Sequence, residues 1–145
     1  MALNLVRIWH MGQDRTYFEC LSRSFSAFSG FFKANPSGAE NFLQALAYTL
    51  QPPQEMVLCG NSNDPKFQEF SREINARFLP FKSLFHVTHS IEDKELAKKY
   101  PHLESFSNID KPTLFLCKDY SCEKPATELS EVRSQLSNLE GSEKR

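Results

Sequence analysis

The residues able to do chemistry in this chain are few and scattered. Cys117 and Cys122 form a C-x4-C pair, at the end of an apolar run and across an expected turn. Two thiols so placed could act as a redox couple or as half a metal site. Redox thiol motifs usually leave two residues between the cysteines, and a structural zinc site needs four ligands. The further ligands do not stand nearby, so the plainer reading is preferred: one cysteine buried in a strand and one in a turn. The pair is kept as the redox candidate. A phosphatase-type loop would need an arginine soon after Cys117, and none comes before Arg133.

His86 and His89 look like a ligand pair. In a strand, positions three apart point to opposite faces, so two unrelated histidines are expected rather than a shared metal. His10 and His102 have no partner in sequence. Gly60-Asn61-Ser62-Asn63-Asp64-Pro65 joins an expected strand to a helix start, where backbone N–H groups can hold an anion. The stretch lacks both glycine-rich phosphate-binding patterns and reads as an ordinary strand-to-helix turn. Glu92, Asp93, Glu95, Glu128 and Glu131 sit among lysines or on helix faces and read as solvated surface. No Ser-His-Asp arrangement carries a nucleophile-elbow signature. The residues therefore assign no catalytic group, no cofactor and no metal.

The elements that would position these groups are clearer. Residues 2–11 read as a helix, with Asn4, Arg7 and His10 on a narrow polar stripe and apolar residues around the rest of its girth. A helix of that pattern needs neighbours on more than one side. Gly12 stops it, and Asp14 is a fair N-cap for a second helix over about 15–32. The Tyr17/Phe18, Leu21, Phe25, Phe28 and Phe32 stripe has helical spacing, and the short link makes a helical hairpin. Phe25, Phe28 and Phe32 are expected to pack on the third helix and on the sheet. That third helix should start from a capping box of Ser37 and Glu40, bury Phe42/Leu43, Leu46/Ala47 and Leu50, and end at Pro52-Pro53.

The texture then changes. Met56–Cys59 reads as a buried strand, and Asp64-Pro65 opens a helix bearing Phe67, Phe70, Ile74 and, if it runs that far, Phe78. Leu84–Val87 is a second strand, which makes a parallel crossover with the first. Residues 91–99 read as a short helix and 100–112 as loop. Leu114–Cys117 is a third strand, and Leu129, Val132, Leu136 and Leu139 mark a last helix after Thr127. The first and third strands should be central, and the second, with Lys82 and His86, at an edge.

Composition bounds the function classes. The chain has 145 residues, 40% hydrophobic and 24% charged, which is enough for a real core. Lys plus Arg is 17 and Asp plus Glu is 18, so the basic surplus of a nucleic-acid binder is missing. No apolar run reaches the roughly 18 residues of a membrane span. The first residues lack the basic leader and cleavage site of a signal peptide. Four cysteines make no disulfide scaffold at this size, so a reducing cytoplasmic or organelle-matrix setting is the default. Thirteen Phe against five Gly call for large side chains packed between helices and sheet.

In order, these pieces resemble the C-terminal end of the spermatogenesis-associated, thioredoxin-domain-containing protein family. The resemblance runs from about Met1 to Leu136. It is sharpest at Pro52-Pro53-x-Glu55 leading into Val57-x-Cys59-Gly60, at Phe78-Leu79-Pro80-x-Lys82, and at Cys117-x4-Cys122-x2-Pro125. Phe81, where the family usually has Asn, and Thr127-Glu128-Leu129, in place of a Thr-Asp-Pro cap, are departures. The resemblance implies a large protein with a thioredoxin-like domain and a barrel of paired helices like that of six-hairpin glycosidases. This chain would then be an α+β piece: residues 1–53 the terminal helices of an (α/α) toroid, residues 54–140 a small, three-stranded, mostly parallel α/β appendage, and residues 141–145 a disordered tail. Cys117 and Cys122 match the family's paired cysteines, whose role the resemblance leaves open.

Three functional readings follow. The leading one is a partial family member without independent catalysis, any carbohydrate or redox role belonging to the full-length protein. The second is a stand-alone thiol-redox module using Cys117 and Cys122. The third is an interaction module that docks or self-associates through the exposed face of residues 1–11, with no nucleic acid or membrane as partner.

Overall fold

The computed structural model describes residues 1–12, 14–50, 54–88, 95, 99–118 and 121–142. The chain divides into two compact units, Met1–Pro53 and Gln54–Arg145, the first helical and the second built on a sheet. The α+β class and the helical hairpin are as the sequence leads one to expect.

The helical unit holds α1 (Ala2–Gly12), α2 (Arg15–Ala34) and α3 (Glu40–Leu50). Asp14 caps α2 as expected: its Oδ1 accepts from the Thr16 N–H at 2.9 Å. α1 packs against both α2 and α3. Ala2, Val6 and His10, four residues apart, are its buried line. His10, read from sequence as part of the polar stripe, is thus an inward group. The phenylalanines of α2 gather around one residue of α3. Phe25, Phe28 and Phe32 lie 6.0, 5.6 and 4.5 Å from the Phe42 ring, within the range of favourable aromatic pairs.

Two expectations for α3 are corrected. Ser37 does not cap it: Pro36–Gly38 is a 3-10 turn, with Gly38 N–H bonded to Asn35 O and Ala39 N–H to Pro36 O. Ala39 O accepts from both Phe42 and Leu43, so the α-helical bonds start there and Glu40 is the first helical residue. The buried stripe also shifts. Ala45 and Tyr48 are buried, whereas Leu43, Leu46 and Leu50 are 46%, 40% and 73% exposed. A pattern with apolar residues on two adjacent faces does not say which face has a neighbour.

The second unit contains β1 (Gln54–Cys59), α4 (Pro65–Ala76), β2 (Lys82–Val87), β3 (Thr113–Lys118), β4 (Ser121–Cys122) and α5 (Leu129–Ser142). The strand order is β2-β1-β3-β4. β1 and β3 are central and β2 is an edge, as expected. The sheet is not the three-stranded, mostly parallel one anticipated. β1 pairs parallel with β2, but β3 runs antiparallel to β1, and a two-residue β4 is added antiparallel to β3. A short apolar run carries no direction signal. The connection from β2 stays at the end of the sheet where β2 finishes, so β3 starts there and runs back beside β1. That connection is not all loop: Pro101–Phe106 forms a 3-10 segment. The helix expected at 91–99 falls almost wholly outside the described residues, as do the Pro52-Pro53 stop and His89.

Met56, Leu58, Leu114 and Leu116 on one sheet face pack with Phe67, Phe70 and Ile74 of α4 and Val132 and Leu136 of α5. α4 begins as read, with Asp64 Oδ1 accepting from Lys66 N–H at 2.8 Å and Pro65 in the first turn. It ends at Ala76, which leaves Phe78 84% exposed rather than on its buried face. Lys82 Nζ donates to Ile74 O at 2.9 Å, covering a carbonyl at the end of that helix. Burial lowers the Lys82 ammonium's affinity for its proton. Glu73 joins the two helices, 3.0 Å from Arg77 and 3.1 Å from Arg133, and those hydrogen bonds hold its carboxyl below the usual range. α5 extends to Ser142, into the segment expected as a disordered tail.

Candidate functional site

The opposite sheet face carries the chemistry. Side chains alternate along a strand, so Glu55, Val57 and Cys59 point away from α4 and α5. Directly paired residues of antiparallel strands share a face, so Glu55 and Cys117 are side-by-side neighbours, as are Cys117 and Cys122. The 3-10 segment covers this face. Phe106 lies 4.8 Å from Phe115, and Leu103 is fully buried. His102 is brought against Glu55, with Nε2 3.4 Å from Oε1. The His102 ring also meets Phe85 at 5.9 Å and Tyr100 at 6.2 Å.

Cys117 and Cys122 are joined in a disulfide, which corrects the preferred reading of two unlinked cysteines. The geometry is that of a clasp across the β3–β4 hairpin: the backbone pairing sets the two Cα atoms 3.9 Å apart. The two sulfurs belong to unlike surroundings. Cys117 is 8% exposed and lies in a central strand, whereas Cys122 is exposed on the rim. Glu55 is mostly enclosed, its side chain 18% exposed. Burial raises its carboxyl above the usual carboxylate range, and the attraction of His102 only partly opposes this.

The other sequence-derived candidates are not brought together. His86 points to the α4 side, its ring edge-on to Phe67 at 5.5 Å. Cys59 is wholly buried, and burial pushes its thiol up to about 12, so it is inert at neutral pH. His10 is buried between Trp9 at 4.7 Å and Tyr48 at 6.0 Å, in the helical unit, with neither ring nitrogen hydrogen-bonded. Among the described residues, no three His, Cys, Asp or Glu side chains converge as metal ligands would. Glu131, read as solvated, reaches back to the Thr127 and Glu128 N–H groups at 2.9 and 3.2 Å and caps α5.

Gly60 closes the strand-to-helix turn as a structural residue. Its φ is +126°, and a Cβ there would stand 2.9 Å from the Pro112 nitrogen. Sequence reasoning missed Glu55 and His102 as a pair. The one available signal was an acidic residue directly before the apolar run Met56–Cys59, since a buried carboxylate needs a partner.

The fold and this face define a helical hairpin unit followed by a small mixed-sheet unit with a disulfide clasp. No family model matches the chain. It is similar to an uncharacterized protein of Caenorhabditis elegans, 22% identical over 129 residues. It is also similar to human Spermatogenesis-associated protein 20, 21% identical over 136 residues. These matches cover 89% and 93% of the chain but 17% of each relative's length. They support a distant relationship over most of the chain. No solved structure matches.

Proposed function

We propose that the chain acts as a closing module of a larger helical-hairpin protein and has no catalysis of its own. The observation that carries this reading is the apolar surface of α2 and α3. Phe28, Phe31, Leu43, Leu46 and Leu50 are 51%, 52%, 46%, 40% and 73% exposed. Several large apolar side chains left exposed on one small unit mark a contact site. Its occupant would be further hairpins of the same protein, in keeping with relatives of which this chain spans about a sixth. The family resemblance would place any carbohydrate or redox chemistry in those other parts. α1 buries Ala2, Val6 and His10 but leaves Ile8 40% exposed, so residues 1–11 would add to the docking face on α2 and α3.

The test joins the chain in trans to the human relative lacking its matched 136 residues. Co-purification of the two as a soluble complex, lost in Phe31→Asp/Leu50→Asp, is the expected result. A chain that stays monomeric at high concentration, binds no apolar dye and ignores the truncated relative overturns the reading. The specific pairing of Cys117 with Cys122 favours a second reading, a thiol-redox module. Reversible opening of the clasp by millimolar reductant, with the sheet still folded, is its requirement.

A further inference from the structure

Resting on that second reading, we infer that the clasp face is a thiol–disulfide exchange site in which exposed Cys122 is the sulfur attacked and the Glu55–His102 pair supplies the proton taken up by departing Cys117. The substrate class is a dithiol. Three observations converge here: the burial contrast between Cys122 and Cys117, the cross-strand pairing of Glu55 with Cys117, and the contact of Glu55 with His102.

The step balances as follows. One thiolate of the dithiol attacks Cys122 Sγ, and a bond forms between those two sulfurs. The Cys122–Cys117 bond breaks, and Cys117 Sγ leaves with the electron pair. A thiolate stranded at an 8% exposed strand position is poorly solvated. The proton from the neighbouring carboxyl or imidazole neutralises it. The second thiolate of the dithiol then attacks its own linked sulfur and expels Cys122 as thiolate. The clasp gains two electrons and the dithiol, now an intramolecular disulfide, loses two. The reverse sequence reoxidises the clasp.

Glu55 is met on this face by Ser83 of β2 and Cys117 of β3, and by His102 of the 3-10 segment with Tyr100 beside it. Of these, the carboxyl and the imidazole are the acid–base groups in contact with each other beside Cys117. Enclosure keeps the Glu55 carboxyl protonated to higher pH than usual, which suits a donor to a leaving thiolate.

The experiment uses the oxidised full chain. Limiting glutathione, acid quench and peptide mass spectrometry locate the mixed disulfide; the adduct is expected on Cys122. An adduct on Cys117 overturns the assignment of the attacked sulfur. Opening by dithiothreitol is then followed against pH, with rates corrected for the reductant's own thiolate. The corrected wild-type rate falls as pH rises through the raised titration of the Glu55 carboxyl. Glu55→Gln lowers the rate by about tenfold at the low-pH end of the profile and flattens it, while Glu128→Gln in the α5 cap changes neither. An unaltered rate and profile in Glu55→Gln overturn the proton role. If that variant does not fold, His102→Gln on the half-exposed 3-10 segment gives the same readout. If dithiothreitol leaves the folded wild-type clasp closed at every pH, the redox reading itself fails.

Discussion

Two single positions make demands that their neighbours cannot absorb. Gly60 combines a left-handed φ with a backbone approach from Pro112. Gly60→Ala is expected to destabilise the sheet unit by about 2 kcal/mol or more, read as a lower urea midpoint with unchanged slope. His10 makes a different demand. Burial lowers its affinity for a proton, so the folded helical unit binds fewer protons than the unfolded chain. The sign follows: stability is fully present above the unfolded value near 6.5, and is lost as pH falls from there through the lower folded value. Helical circular dichroism melts between about pH 7 and 5 should show a falling midpoint, and His10→Phe should remove most of that slope. Neither demand was visible from residue type alone. A glycine after a strand and a histidine on a polar-looking stripe become informative only when Pro112 and Tyr48 are set against them.

The elements read from sequence were those whose ends are chemically marked. Asp14 and Asp64 cap α2 and α4 as their side chains dictate, and the fully buried run Met56–Cys59 is a central strand. Not every such mark holds, and apolar spacing alone is a weaker guide. Ser37 looked like a cap but is taken up by a Pro36 turn, and α3 presents Ala45 and Tyr48, not its leucines, to the interior. β3 was found but its direction was not, because Leu114–Cys117 reads alike in both senses. The candidate site was half legible. The cysteines stand five positions apart in sequence, whereas Glu55 and His102 meet only because the 3-10 segment folds over the sheet. The sheet's other side depends on Phe70, fully buried between α4, α5 and the strands. Phe70→Ala should cost about 3–5 kcal/mol in denaturant titration, more than any surface change in α4. Glu73→Gln, which leaves Arg77 and Arg133 without their shared carboxylate, should cost roughly 1 kcal/mol.

Taken whole, the chain is two units of unlike character. The sheet of the second unit is covered on both faces, by the α4–α5 layer on one and the 3-10 segment on the other. The helical unit leaves large apolar side chains of α2 and α3 uncovered. In isolation the chain should therefore sediment as a concentration-dependent oligomer, and Phe31→Asp/Leu50→Asp should return it to monomer without loss of helix content. A monomeric wild type at high concentration would count against the closing-module reading.

The chain's one tryptophan belongs to the helical unit, with its ring 4.7 Å from both His10 and Phe18. Trp9 is thus a built-in optical gauge for that unit alone. Its emission reports how α1 and α2 are held, and a protonated imidazole at that range quenches it. Fluorescence and sheet-sensitive signals need not agree in a titration of this protein, and their separation would measure how independently the two halves respond.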